Sequence, residues 1–114
     1  MRRRPSSYEE FWPFYVSQHM NPVCRALHFV GTALVIVCLG AAVLLVSRAW
    51  FLASPLAGYG FAWVGHFFFE RNRPATFTYP LWSLRGDFRM YRLVLLGRMR
   101  RELERAHDIF PYGA

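Results

Sequence analysis

The stretch that decides the fold is ALHFVGTALVIVCLGAAVLLVS, residues 26–47, in which no acidic or arginine residue occurs. At about 1.5 Å of rise per residue, a helix over it matches the roughly 30 Å hydrocarbon core of a bilayer. Arg48 and Trp50 then mark a far interface, and residues 49–69 are again free of formal charge. In this second run Pro55 and Gly58 confine regular helix to the later part. Two such runs meeting at Arg48 predict an all-α fold, an integral membrane helical hairpin with spanning segments over 26–47 and 49–69.

Composition agrees with that reading. The 114-residue chain has room for one domain, and its 54% hydrophobic and 18% aromatic content exceeds that of an average soluble chain. The net charge of +7 comes from fourteen basic residues, all arginine. They fall before Ala26 and after Glu70 with Arg48 alone between, so they flank the apolar region as the positive-inside rule requires. A nucleic-acid-binding role, which needs a basic face on a polar fold, is excluded by the same distribution. Both termini are expected on the cytoplasmic side, in a bacterial inner membrane. Cys24 and Cys38, on one helix about 21 Å apart, cannot form a disulfide and are read as packing thiols.

Outside the hairpin, Ser7 followed by Glu10 has the form of a capping box and opens an aromatic stretch that includes Phe11, Trp12, Phe14 and Tyr15. It predicts a short interfacial helix over about 8–20, in the headgroup layer, ending at Asn21-Pro22. Pro13 is either a kink inside that helix or its first residue. Residues 70–87, with Pro74 and Pro80, are expected to be a basic loop. Over about 88–105 the helical spacing of Phe88, Tyr91, Leu95, Met99 and Leu103 predicts an amphipathic surface helix, its centre weakened by Gly97, with a short third membrane dip as the alternative and a tail over 106–114.

Three of the four histidines converge once the hairpin is drawn. His28 begins the first spanning helix and His66 ends the second, so antiparallel packing sets them at similar depth. His19 precedes the Asn21-Pro22 break, which lets its helix fold back over the same spot. Ionisable residues in membrane segments mark functional sites, although a single hydrogen-bonded histidine needs no metal. Glu70, one turn after His66, is either a fourth ligand, an acceptor that orients an imidazole, or a partner of Arg71 or Arg73. Arg25, Arg71 and Arg73 could grip a carboxylate in bidentate fashion or anchor the protein to anionic lipid. His107, in the polar tail, has no such company and is given no role.

Two residue blocks go further. Phe14-Tyr15, His19, Asn21-Pro22, Arg25, His28 and Gly31-Thr32 form the first, and Gly58-Tyr59, Gly65-His66, Glu70 and Asn72-Arg73-Pro74 the second. Together they resemble the domain-of-unknown-function 962 membrane family, which includes the fungal 2-hydroxy fatty acid dioxygenase of phytosphingosine breakdown. The likeness runs from about residue 8 to 90, with Cys24 standing where the family's first block has asparagine. It implies an Fe(2+)-dependent enzyme of α-oxidation, shortening a 2-hydroxy fatty acid by one carbon with dioxygen. The resemblance makes His19, His28 and His66 the metal ligands, and Asn21 and Asn72 join the arginines as substrate contacts.

Ligand type alone does not choose the metal, because imidazole suits zinc and copper as well as iron. Two other readings stay open from the residues: a non-enzymatic lipid-binding scaffold, and a bis-histidine haem protein. A desaturase-type di-iron centre would need more histidines or carboxylates than the chain holds. Two spanning helices are few to enclose a lipid substrate, which points to a homo-oligomer.

Overall fold

The computed structural model describes residues 5–74 and 77–110, so the arginine cluster at 2–4 and the end of the expected tail, 111–114, lie outside the described residues. The described chain is all-helical: α1 (Tyr8–Ser17), α2 (Pro22–Leu44), α3 (Arg48–Val64), a π-helical turn (Gly65–Glu70), α4 (Pro80–Leu95) and α5 (Met99–Ile109).

Helix α1 begins where Ser7 caps it, its side chain accepting from the Glu10 N–H at 3.3 Å. The Glu10 carboxylate bonds Ser6 N–H at 2.8 Å, one residue before the position a regular capping box uses. Pro13 sits inside the helix. Helix α2 starts at Pro22, four residues before the expected boundary. That boundary was drawn at a charge, Arg25, whereas the helix start is set by capping: the Asn21 side chain accepts from the N–H groups of Val23 and Cys24, and Pro22 fills the first helical position.

Helices α2 and α3 pack antiparallel along their length. Gly65 lies against Cys24, Gly31 against Gly58 and Phe61, and Gly58 against Val35, so small residues let the two backbones approach. Their connection is short, and its Val46 takes φ 49°. Among the described residues one helix, α2, is long and apolar enough to cross a membrane, with 23 residues and a mean hydropathy of 2.4. The second expected span is divided between the 17-residue α3 and the π-helical turn, and Pro55 and Gly58 do not confine regular helix to its later part: α3 is helical from Arg48 with Pro55 inside it, and the irregular stretch is the end. Val43, Leu44, Leu45, Val46, Leu52 and Leu56 at the far end of the pair are all exposed.

Three expectations about the rest are corrected. The loop expected over 70–87 ends at Tyr79, because Pro80 does not break structure there but starts α4 from its first position. The single helix expected over 88–105 is two, since Gly97 adopts φ +69° and Arg98 N–H reaches back to Leu93 O, a left-handed helix stop. Residues 106–109 belong to α5, not to a tail.

The aromatics of α1 are not laid out in a headgroup layer. Phe11, Trp12 and Tyr15 are buried in a core with Val16, Met90, Met99 and Ala106. Helices α4 and α5 cover that face: Phe11 packs on Trp82 and Tyr79, and Trp12 donates its indole N–H to Glu102 at 2.6 Å. Aromatic density is a signal shared by interfaces and cores, and here covering helices make it a core.

Candidate metal centre

Each histidine of the site is positioned by a different element. His19 lies in the turn after α1, its N–H bonded to Val16 O. Arg25 clamps that turn, donating from Nη1 to the carbonyls of His19 and Met20 at 2.8 Å each. His28 is one helical turn after Cys24 on α2. His66 enters from the π-helical turn, and the residue before it, Gly65, makes the approach: a Cβ there would lie 3.0 Å from Cys24 Sγ and 3.2 Å from its Cα. The wide turn then ends at Arg71 in the left-handed region, φ 58°, where Asn72 N–H bonds back to His66 O at 3.0 Å.

The three rings meet in the buried interior, with centroids 4.3, 4.5 and 4.8 Å apart and edge-to-face geometry. Every Nδ1 is committed. That of His19 faces Tyr15 O at 2.7 Å, that of His28 faces Cys24 O at 2.9 Å, and that of His66 faces Asn72 Oδ1 at 2.6 Å. A carbonyl oxygen only accepts, so each Nδ1 carries the proton and each Nε2 carries a lone pair. The Asn72 orientation is itself fixed, because its Nδ2 donates to Gln18 O at 3.0 Å. The three ligand nitrogens lie within 4.8 Å of one another, and Nε2 of His19 is 3.0 Å from Nε2 of His28.

Two lone pairs facing at that distance repel unless a cation lies between them. Nitrogens about 2.1 Å from one ion and at right angles to each other stand about 3.0 Å apart, so the pair has the spacing of adjacent ligands. The donor set therefore fits a divalent transition metal. Charge agrees with it: burial, then the neighbouring His28 and His66, push His19 well below its ordinary value of 6.5, leaving it neutral and able to ligate.

Beside the imidazoles is a cavity of about 10 Å³, the size of one small ion or water, lined also by Tyr15, Trp63, Ser83 and Asp87. A larger, mostly apolar cavity of about 370 Å³ runs from His28 and Asp87 between α2 and α3, past Val35 and Pro55 to Leu39 and Phe51. The two share His28 and Asp87, so the apolar space opens onto the histidine cluster.

The other residues singled out from sequence are placed differently. Glu70 reaches the Asn21 backbone N–H instead of an imidazole, tying the π-helical turn to the start of α2. Asn21 caps α2, and its Nδ2 lies 3.4 Å from Phe69 O. Asn72 takes the orienting role expected of Glu70. Arg71 is exposed, and the Arg73 guanidinium sits 5.2 Å from the Phe77 ring centre. His107 is exposed on α5, apart from the cluster.

Sequence reasoning passed over Asp87, which is the only acid between Glu70 and Glu102 and was recognisable as such. It accepts a hydrogen bond from the Tyr15 hydroxyl, and Gly86, packed on the Tyr15 ring, allows α4 to come that close. Burial pushes Asp87 up to about 7, against the Tyr15 hydrogen bond that favours the carboxylate. Tyr15 stays protonated, its phenol raised by burial and by Asp87. Ser83 and Trp63 were also missed, and no spacing in the sequence marks them.

A family model described as 2-hydroxy-palmitic acid dioxygenase Mpo1-like matches residues 5–99. No curated protein and no solved structure matches the chain.

Proposed function

The chain belongs to the 2-hydroxy-palmitic acid dioxygenase Mpo1-like family, and from that premise we propose that it is an iron(II)-dependent dioxygenase that oxidises 2-hydroxy fatty acids to the acid one carbon shorter. The observation that carries this reading is the convergence of three Nε2 lone pairs whose Nδ1 atoms are all held elsewhere. A bare scaffold has no use for such an arrangement.

In this reading His19, His28 and His66 would hold the metal. When bound, iron(II) supplies the redox chemistry that activates dioxygen. A 2-hydroxy acid and one dioxygen give the shortened acid, carbon dioxide and water, so no organic co-substrate is required. The carbonyls of Tyr15 and Cys24 and the amide of Asn72 keep the imidazoles in the ligating tautomer. Val35, Leu39 and Phe51 keep the acyl chain in the larger cavity and exclude water from the reacting end.

The same proposal places α2 and α3 in the membrane as a hairpin, both termini cytoplasmic. The exposed Val43, Leu44 and Leu56 and the flanking arginines support it. A homo-oligomer would complete the wall of a cavity that α2, α3 and α4 enclose only in part.

Anaerobic reconstitution with iron(II), followed by oxygen uptake on 2-hydroxyhexadecanoic and hexadecanoic acids, tests the reading. One iron per chain and uptake with the hydroxy acid alone are expected. His19→Ala, His28→Ala and His66→Ala should each lose iron and activity together, while His107→Ala keeps both. Full iron retention in all three folded variants would refute it.

A further inference from the structure

The head group of the substrate needs a receiver, and the arginines do not provide one inside the cavity. Arg25 spends its Nη1 on two backbone carbonyls, and Arg71 and Arg73 are exposed. Two other polar atoms beside the histidines have no partner among the described residues. Ser83, 1% exposed, has a buried Oγ without a hydrogen bond, and so does the indole Nε1 of Trp63. Both residues line the small cavity with His19, His28 and His66.

Orphaned donors in a protein interior are costly, so their presence at one cavity calls for a ligand that satisfies them. Ser83 lies on α4, where a hydroxyl can back-bond to the carbonyl one turn earlier, and the Tyr79 carbonyl has a second lone pair free beside the Ser83 N–H it accepts; the Ser83 hydroxyl nonetheless makes no such bond. The Trp63 ring is packed between Tyr59 and Phe77, which fixes its plane without engaging its nitrogen. The third polar group at this end, Asp87, is already engaged by the Tyr15 hydroxyl.

We propose that Ser83 Oγ and Trp63 Nε1 are the hydrogen-bond donors that receive the carboxylate of the substrate beside the metal, and so determine specificity for an acid over an alcohol. The assignment rests on the fatty-acid reading above. It replaces an exposed basic rim by two neutral donors in a desolvated pocket, where a hydrogen bond to an anionic oxygen is worth more than at a surface. The acyl chain then leaves past His28 and Asp87 into the apolar cavity, which both small and large cavities share.

The test compares binding of 2-hydroxyhexadecanoic acid with that of hexadecane-1,2-diol, which keeps the 2-hydroxyl and the chain but lacks the carboxylate. Calorimetric titrations are made anaerobically on the iron(II)-loaded protein in detergent. Ser83→Ala and Trp63→Phe should each weaken the acid about tenfold, the loss of one hydrogen bond to a charged group, and leave the diol within about twofold. Iron content should be unchanged in both. In the metal-free protein Ser83→Ala should raise Tm, because it removes a buried hydroxyl that nothing satisfies. An acid affinity unchanged in both variants, or acid and diol weakened alike, would overturn the proposal. Iron content of the wild type reads the catalytic reading, whereas the acid-to-diol ratio reads this one with or without iron bound.

Discussion

Asn72→Ala separates a histidine that is merely near the others from one that is held for metal binding. The Asn72 side chain accepts from His66 Nδ1 at 2.6 Å and donates to Gln18 O at 3.0 Å, so truncation removes both bonds at once. His66 is 2% exposed, and solvent has little access to replace the lost partner. An unpaired buried donor costs about 1–3 kcal/mol, which should appear as a lowered Tm of the metal-free protein. Metal affinity should fall about 10 to 100-fold, because the ring loses the group that fixes its tautomer and orientation. Competition for iron(II) against a chelator of known affinity, under anaerobic conditions, measures this directly. Asn72→Asp keeps an acceptor for His66 but loses the donor to Gln18, so it should recover most of the metal affinity and little of the stability. A folded Asn72→Ala protein that bound iron within about twofold of wild type would show that the orientation of His66 does not matter to the site.

Three further outcomes follow from separate parts of the molecule. Gly97→Ala places a Cβ at φ +69° with no atom within 4 Å of it, so the change is purely conformational and should destabilise by about 1 kcal/mol, read as a lower Tm. Trp12→Phe removes the 2.6 Å bond to the Glu102 carboxylate and should cost about 1.5–3 kcal/mol, with α5 becoming the first segment to exchange amide hydrogens. Asp87 has a folded pKa of about 7 against an ordinary 3.8, so the folded state holds a proton that the unfolded state releases, and stability falls as pH rises across that window. The Tm of Asp87→Asn minus that of wild type should therefore be near zero at pH 4, grow up to about pH 7 and then level off; a difference independent of pH would remove the buried carboxyl from the account.

The sequence made α2 and the histidine cluster readable for simple reasons. A long uncharged run has few alternatives to a helix, and antiparallel packing turns the positions of His28 and His66 into a statement about depth. His19 joined them through the Asn21-Pro22 break, a local signal. Reading failed where one local signal serves two structures. Proline breaks helices but also starts them, as Pro80 does, and aromatics such as those around Phe11 suit an interface but fill a core once α4 and α5 are present. The orientation of Asn72 depends on a left-handed Arg71, a conformation that non-glycine residues seldom adopt and that no pattern announces. Ser83 and Trp63 became visible only as atoms without partners, which is a property of three-dimensional packing alone.

The π-helical turn Gly65–Glu70 holds one residue more than an α-helix would over the same rise. In geometric terms it is a phase shift: one added residue in a plain helix advances everything after it by about 100° around the axis. That phase angle is what brings Glu70 to the Asn21 N–H and Asn72 to His66 while leaving Gly65 against Cys24. Deleting one of Phe67, Phe68 or Phe69 would let the turn relax to ordinary helix without touching a ligand. His66 would stay in place on its own backbone, but Glu70 and Asn72 would rotate away together and leave the imidazole with nothing to aim it.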